Sequence, residues 1–164
     1  MARFQPEKIF VVLQSHRVAF VTIGGIAATL HGSNLRTGDL DICPGRSEDN
    51  LDRLAAALVD LDARIRASGA PEGIPVSIDA TFLATLQIVN FTTRFGDFDV
   101  SFLPAGTAGY EELATNATRF DLDGLIVPVA SLEDVIRSKE AANRQKDRDQ
   151  LPTLRALLEM TRDD

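Results

Sequence analysis

Two aspartates, Asp39 and Asp41, stand two residues apart in a stretch where polar and apolar residues alternate, residues 39–42. Such alternation predicts a β-strand, and it places both carboxylates on one face of that strand, about 7 Å apart. Two like charges at this spacing repel each other unless water screens them or a cation lies between them. Carboxylate pairs suit Mg²⁺, which proteins hold through one or two carboxylates together with substrate phosphates. The pattern leaves two interpretations open, a metal site and the solvated acidic face of an edge strand.

A second acidic pair, Asp97 and Asp99, lies in a later alternating stretch with apolar Phe98 and Val100. Two strands that present carboxylates on one face could together hold two metal ions. Such a site activates an attacking hydroxyl and neutralises a leaving pyrophosphate. For Asp97, a place in a hairpin turn with Gly96 is the favoured interpretation.

Glycines and an arginine near these aspartates are candidates for phosphate binding. Gly24 and Gly25 follow a predicted strand and precede a predicted helix. Paired glycines let backbone N–H groups approach a ligand, and a helix N-terminus favours phosphate; a tight turn is the other interpretation. Arg36, beside Thr37, could clamp phosphates bidentately or belong to a surface turn with Gly38.

Lys139 lies on the apolar face of a predicted helix, seven residues after Leu132. Because lysine is rarely buried without a partner, its side chain either extends past the helix end or meets a carboxylate or a phosphate. Asp147 continues the apolar face of the following helix. Nearby, a small basic cluster is typical of a solvated loop when taken alone; its members are Arg144, Lys146 and Arg148.

Other chemically active side chains receive structural interpretations. His31 and Cys43 have no second His or Cys at ligand spacing. Ser33 lacks the His and Asp setting of a nucleophile.

The elements that must position these residues are predicted from periodicity. Strands are expected at residues 18–23, 39–42, 86–91 and 95–103, the last two as a hairpin, with an edge strand at 120–129. Helices are expected from Pro6, over 26–30, after Ser47, after Ser131 and from about Pro152, and residues 67–75 are expected to form a surface loop. The fold class is therefore α/β (α+β), a small mixed β-sheet flanked by helices.

Composition limits the function classes. The chain has 164 residues, one cysteine and a formal net charge of −7 at pH 7. The length suits one domain, residues 1–164, with C-terminal helices 131–162 packing on the core. The charge argues against a broadly basic nucleic-acid surface, and the lone cysteine against disulfide frameworks and Cys-rich zinc sites. With no membrane span or signal peptide in the sequence, a cytoplasmic protein without a membrane partner is expected.

Taken together, residues 20–28, residues 35–42 and Phe98-Asp99-Val100 resemble the polymerase-β-like nucleotidyltransferase superfamily. That family combines a Gly-Ser or Gly-Gly turn, a downstream Asp-x-Asp strand and a third Asp on a later strand. Residues 138–147 are similar to the C-terminal signature of one branch, the nucleotidyltransferase toxins of abortive-infection and toxin–antitoxin systems. The resemblance runs in order from residue 18 to residue 158.

The resemblance implies nucleotidyl transfer, in which a hydroxyl attacks the α-phosphate of a nucleoside triphosphate and pyrophosphate leaves. It implies a site with two Mg²⁺ ions, whose catalytic and metal-binding residues are Asp39, Asp41 and Asp99. The nucleotide-binding residues that it implies are Gly24, Gly25, Arg36, Thr37, Lys139 and Asp147. Of these, Asp147 would orient Lys139 or another basic group.

The acceptor is less determined, and three functions remain open. The first is a toxin that modifies RNA at a tRNA 3′ end through Arg144, Lys146 and Arg148, with an antitoxin as partner. The second is transfer to a small molecule such as an aminoglycoside, which an acidic surface would suit. The third is a catalytically silent nucleotide-binding or partner-binding module. Two departures from the family bear on this choice: Gly25 replaces a common serine, and the larger helical region of many relatives is missing.

Overall fold

The computed structural model describes residues 2–163, and its centre is a mixed sheet of eight strands. The strands are β1 (Phe20–Ile23), β2 (Asp39–Pro44), β3 (Arg64–Ala67), β4 (Ala70–Ile74), β5 (Ile88–Thr93), β6 (Gly96–Ser101), β7 (Thr118–Leu122) and β8 (Leu125–Val129). They lie side by side in the order β4-β3-β5-β6-β2-β1-β8-β7. The predicted α/β fold with a mixed sheet is confirmed.

Seven helices flank the sheet within the described residues. They are α1 (Pro6–Ser15), α2 (Gly24–Leu30), α3 (Glu48–Asp60), α4 (Ala80–Ala84), α5 (Tyr110–Asn116), α6 (Leu132–Ala142) and α7 (Gln145–Arg162). The helices expected after Ser47 and Ser131 are confirmed, and both serines are N-caps: Ser47 accepts a hydrogen bond from the backbone N–H of Asn50, and Ser131 accepts one from that of Asp134. Helix α6 packs against α2 and α7. No helix among residues 2–163 is both long and apolar enough to cross a membrane.

The sheet register brings the acidic strands together. Strands β2 and β6 are parallel neighbours, with Asp39 opposite Asp97 and Asp41 opposite Asp99. Strand β1 runs antiparallel to β2, so that Ile23, the last residue of β1, lies opposite Asp41. The chain therefore leaves β1 into α2 beside the carboxylates of β2 and β6.

Burial fixes which face of the sheet carries these carboxylates. The residues that alternate with the aspartates are fully buried in the core: Leu40, Ile42, Phe98 and Val100. Each such side chain contributes about 1.5–3 kcal/mol by leaving water. A slip of one residue would exchange this apolar set with the aspartates, so the core holds the register.

The prediction of a surface loop at residues 67–75 is wrong. That stretch contains the last residue of β3 and the whole of β4, an edge strand that pairs antiparallel with β3. Pro71 and Gly73 suggested a loop, but an edge strand tolerates a residue without an N–H, since one side of it pairs with no neighbour.

The single edge strand expected at 120–129 is two strands, β7 and β8, which pair antiparallel. They are joined at Asp123 and Gly124, whose φ angles are 54° and 92°. Positive φ at two successive positions is the mark of a type I′ hairpin turn, which Asp-Gly favours.

The last helix begins earlier than predicted. Helix α7 starts at Gln145 and contains Pro152 in its interior rather than near its start. Its N-terminus is held by Asp147, whose carboxylate accepts hydrogen bonds from the backbone N–H and the guanidinium of Arg144.

Candidate functional site

Three carboxylates from two strands meet at the floor of a cleft. Asp39 and Asp41 on β2 and Asp99 on β6 each offer one oxygen, and these oxygens all lie within 4.8 Å of one another. The three side chains are partly exposed. The structure thus assembles the three residues that alternation singled out, and it does so through the parallel register of β2 and β6.

Crowding changes the proton affinity of this group. Burial raises the pKa of Asp41 to about 6, and the charge of Asp39 acts in the same direction. The pKa of Asp99 rises to about 8 through burial, a hydrogen bond with Asp39 and the charge of Asp41. Lys146 and Lys139 act on Asp41 in the opposite sense. The cluster is therefore short of positive charge, and either protons or a cation can supply it.

An arginine that the sequence did not single out lies against this cluster. Arg66, on β3, places Nη1 3.1 Å from Asp97 Oδ2, and its Nη2 contacts Asp99 Oδ1. Asp97 is therefore a strand residue in an ion pair. Its interpretation as part of the hairpin turn is wrong, because that turn consists of Arg94 and Phe95. Asp97 also stands outside the group of three carboxylates.

Gly24 and Gly25 lie so close to side chains of the acidic site that no Cβ fits at either position. Gly24 has φ +67°, and a Cβ there would lie 2.4 Å from Asp41 Oδ2. A Cβ on Gly25 would lie 2.6 Å from Thr37 Oγ1. The hydroxyl of Thr37 in turn lies 3.2 Å from the backbone oxygen of Asp39. A side chain at either glycine would collide with residues of the acidic site, so the turn and the carboxylates form one unit.

Lys139 meets an anion within the protein. Its Nζ lies 3.6 Å from Asp147 Oδ1, and both side chains are almost fully buried. Burial lowers the pKa of Lys139, and the charge of Asp147 opposes that shift. Burial acts to raise the pKa of Asp147, but hydrogen bonds from the side chain and backbone of Arg144 outweigh it and leave that pKa lowered. The predicted inward faces of both C-terminal helices thus meet in an ion pair.

The basic cluster is divided by the fold. Arg144 and Lys146 line the cleft, and Arg144 also binds Asp147. Arg148 is not among the lining residues. Its guanidinium instead donates to the backbone oxygen of Asn143 and, at 2.9 Å, to Gln145 Oε1.

The cleft has a volume of about 820 Å³ and walls of different character. One side carries basic residues: Arg36, Lys139, Arg144 and Lys146. A neutral wall is formed by Ile88, Asn90 and Ser101 on β5 and β6, where Ile88 lies opposite Ser101 and Asn90 opposite Asp99. A cleft of this size is within the range of small-molecule sites, about 300–1,000 Å³.

The residues interpreted as structural have structural contacts. His31 Nε2 lies 2.8 Å from the carbonyl oxygen of Ala130. Cys43 is fully buried, and burial raises the pKa of its thiol to about 12. Ser33 is buried and accepts a hydrogen bond from the backbone N–H of Leu35.

Comparison with solved structures identifies the fold. The chain is similar to the lincosamide antibiotic adenylyltransferase LnuA with lincomycin bound, at 14% identity and a TM-score of 0.60, over 94% of this chain and 99% of that chain. An antigenic nucleotidyltransferase-like protein from Paracoccidioides brasiliensis is similar at 16% identity and a TM-score of 0.58, over 93% and 78%. The chain has a nucleotidyltransferase fold. The antibiotic-resistance factor ANT(2'')-Ia is also similar, at 15% identity and a TM-score of 0.58, over 93% and 82%.

No protein-family model matches the sequence, and no curated protein matches it. At identities of 14–16% the solved structures establish the nucleotidyltransferase fold, and the residues of the cleft carry the argument about function.

Arg66 is the residue of the cleft that sequence reasoning missed. It stands just before the stretch predicted as a loop, and no motif surrounds it. The only available signal was the alternation of Arg64 and Arg66 with Ile65 and Ala67, which is short. Its contact with Asp99 arises from the sheet order β3-β5-β6, which local sequence does not encode.

Proposed function

We propose that this chain is a Mg²⁺-dependent nucleotidyltransferase, which moves a nucleoside monophosphate from a nucleoside triphosphate to a hydroxyl-bearing acceptor. The observation that carries the proposal is the convergence of Asp39, Asp41 and Asp99 on the floor of a cleft with a basic wall. The nucleotidyltransferase fold supports it.

The donor set fits divalent magnesium. It consists of carboxylate oxygens alone, the ligands that this hard cation prefers, and their mutual crowding favours a cation among them. Asp39 and Asp41 would hold two ions, with Asp99 as the third ligand. When bound, Mg²⁺ lowers the pKa of a hydroxyl and neutralises charge on the leaving phosphates.

The triphosphate would lie along the basic wall. Lys139 and Lys146 would pair with its phosphate oxygens, with Arg36 and Arg144 nearer the mouth of the cleft. Backbone N–H groups of Gly24 and Gly25 and the hydroxyl of Thr37 would contact the phosphates, while Asp147 holds Lys139 in place. All of these residues except Asp147 line the cleft, which supports these roles.

The chemical step would use Asp99 as general base. The acceptor hydroxyl oxygen forms a bond to the α-phosphorus, and the bond from that phosphorus to the pyrophosphate oxygen breaks. The proton of the hydroxyl passes to the carboxylate of Asp99. Electrons leave with pyrophosphate, which the basic wall stabilises.

RNA is the acceptor that the resemblance to toxins favours, with a tRNA 3′ end as the site of transfer and an antitoxin as partner. Arg144 and Lys146 at the cleft support it, and Arg148 would extend the contact along the outside of α7. RNA binding of this kind would weaken steeply with salt.

A small molecule is the second candidate, and the neutral wall of the cleft favours it. Ile88 is 62% exposed there, so an apolar face of an acceptor could cover it. The nearest cation on this side, Arg66, is already paired with two aspartates. A phosphate chain on this wall would therefore gain little from Arg66, whereas a neutral molecule needs no cation there. One fold neighbour, the lincosamide antibiotic adenylyltransferase LnuA, has a small molecule, lincomycin, bound.

Transfer of label from each α-³²P nucleoside triphosphate tests the proposal. The protein is incubated with Mg²⁺ and either total RNA or lincomycin, and Asp39→Ala/Asp41→Ala is the blank. Label in RNA identifies the first acceptor class and label in lincomycin the second. Absence of transfer and of Mg²⁺-dependent triphosphate binding would contradict the proposed function.

A further inference from the structure

Arg66 reaches the acidic site from a distant strand. Strand β3 pairs with β5, and β5 pairs with β6, so the side chain of Arg66 crosses β5 to reach Asp97 and Asp99. One guanidinium nitrogen lies 3.1 Å from Asp97 Oδ2 and the other contacts Asp99 Oδ1. Asp99 is the more buried of the two, with a side-chain exposure of 14% against 31% for Asp97.

Asp99 therefore has two roles that compete: it is a member of the candidate metal site and the partner of Arg66. It belongs to the group of three carboxylates whose oxygens lie within 4.8 Å of one another, and it also binds a guanidinium. Arginine keeps its charge at all working pH values. A carboxylate held by a guanidinium is a poorer metal ligand and a poorer base, since its lone pairs are already engaged.

We propose that Arg66 is the counter-cation of Asp99 in the metal-free protein. When the divalent metal binds Asp99, Arg66 releases that carboxylate and stays at the edge of the cleft, paired with Asp97. Asp97 suits this role because it holds the same guanidinium and stands outside the group of three carboxylates. Arg66 is thus a positioning residue, and Asp97 is its anchor. The inference rests on the proposed function, because it uses that function's metal site.

Binding of Mn²⁺ to the protein, followed by electron paramagnetic resonance of the free ion without substrate, tests this exchange. Arg66→Gln removes the competitor, and we expect Mn²⁺ to bind about tenfold more tightly, in keeping with the effect of one charge at contact distance. Arg64→Gln is the matched control. It removes the same charge from the same strand, but Arg64 pairs with Asp62 at 3.6 Å. The affinity of the Arg64→Gln variant for Mn²⁺ should therefore change less than about twofold.

Asp97→Asn separates exchange from a general charge effect. With its anchor removed, Arg66 stays on Asp99, and Mn²⁺ should bind several-fold more weakly. In the Arg66→Gln background the same substitution should lose most of its effect, because no guanidinium remains to be held. Purely additive charge effects would give an equal loss in both backgrounds and would overturn the inference.

Two further outcomes are decisive. Unchanged or weaker Mn²⁺ binding in Arg66→Gln, with normal binding in the wild type, overturns this inference and leaves the proposed function intact. A wild type that does not bind Mn²⁺ overturns both. Arg66→Lys guards against a folding defect in Arg66→Gln, because it keeps the charge but lacks the fork that bridges two carboxylates. We expect its affinity for Mn²⁺ to lie between those of the wild type and Arg66→Gln. An affinity equal to that of the wild type would count against exchange.

Discussion

The side chain of Thr37 fills the space that a side chain at position 25 would need beside the acidic site, since a Cβ on Gly25 would lie 2.6 Å from Thr37 Oγ1 and 2.8 Å from Thr37 Cβ. The superfamily that the sequence resembles often has a serine at the position of Gly25. Here the hydroxyl of Thr37 stands where a side chain at position 25 would begin. The two positions are therefore coupled.

Substitution of Gly25 tests this coupling. Gly25→Ser should lower stability by about 1–3 kcal/mol through overpacking and weaken triphosphate binding, and Gly25→Ser/Thr37→Gly should recover much of both. Thr37→Ala is the matched control, because it keeps the Cβ that lies 2.8 Å away and should not rescue. Thermal unfolding and triphosphate titration measure these effects. Equal rescue by alanine and glycine would show that the two residues are not in steric contact.

The stability of the metal-free protein should fall as pH rises. The folded-state pKa values of Asp41 and Asp99 are raised to about 6 and about 8 from an ordinary value of 3.8. The cost of their ionisation is therefore absent below pH 3.8, grows as pH rises above that value, and is complete above about 6 for Asp41 and about 8 for Asp99. Mg²⁺ should offset it, so the rise in Tm on adding Mg²⁺ should be larger at pH 8.5 than at pH 5.5. A rise independent of pH, or one retained in Asp41→Asn, would argue against a cation among these carboxylates.

The two members of the buried ion pair should differ in their effects. Asp147→Asn leaves Lys139 without its charge partner and should cost about 3–5 kcal/mol of stability. Lys139→Met leaves Asp147 bonded to Arg144, so it should cost less, while triphosphate affinity falls about tenfold through loss of a charged hydrogen bond. Chemical denaturation and triphosphate titration separate the two quantities. Unaltered triphosphate affinity in Lys139→Met would reduce that lysine to a structural partner of Asp147.

Arg148 distinguishes the two acceptor classes, because it is a member of the basic cluster that does not line the cleft. If RNA is the acceptor, Arg148→Glu should raise the KM for RNA several-fold and flatten its salt dependence, with triphosphate affinity unchanged. Ile88→Glu is the counterpart on the neutral wall and should instead impair transfer to lincomycin. If transfer to RNA is unchanged in both variants, α7 no longer supports RNA as the acceptor.

Local sequence predicted the strands that carry the aspartates better than the order in which those strands assemble. Alternation placed Asp39, Asp41 and Asp99 on strands with their carboxylates opposite the core, because burial of the intervening residues fixes that choice. It did not predict that β2 and β6 are parallel neighbours or that Arg66 reaches Asp99, since strand order depends on contacts far apart in the chain.

The errors in element boundaries also have physical causes. Pro71 and Gly73 hid an edge strand that tolerates them. The start of α7 was missed because Arg144 and Asp147, rather than a Ser or Thr, hold its N-terminus. The Asp123-Gly124 turn was also missed, although this dipeptide favours the positive φ angles of a two-residue hairpin, because residues 120–129 were taken as one edge strand.

Release of pyrophosphate is the measurement that tests the central claim most directly. The wild type and Asp41→Asn would be incubated with four nucleoside triphosphates and Mg²⁺, with total RNA and lincomycin both present as acceptors. The account predicts acceptor-dependent pyrophosphate from the wild type, lost on chelation with EDTA and reduced at least a hundredfold in Asp41→Asn, as expected when a catalytic charge is removed. Equal pyrophosphate release from the two proteins would contradict the assignment of the acidic site as a nucleotidyltransferase centre.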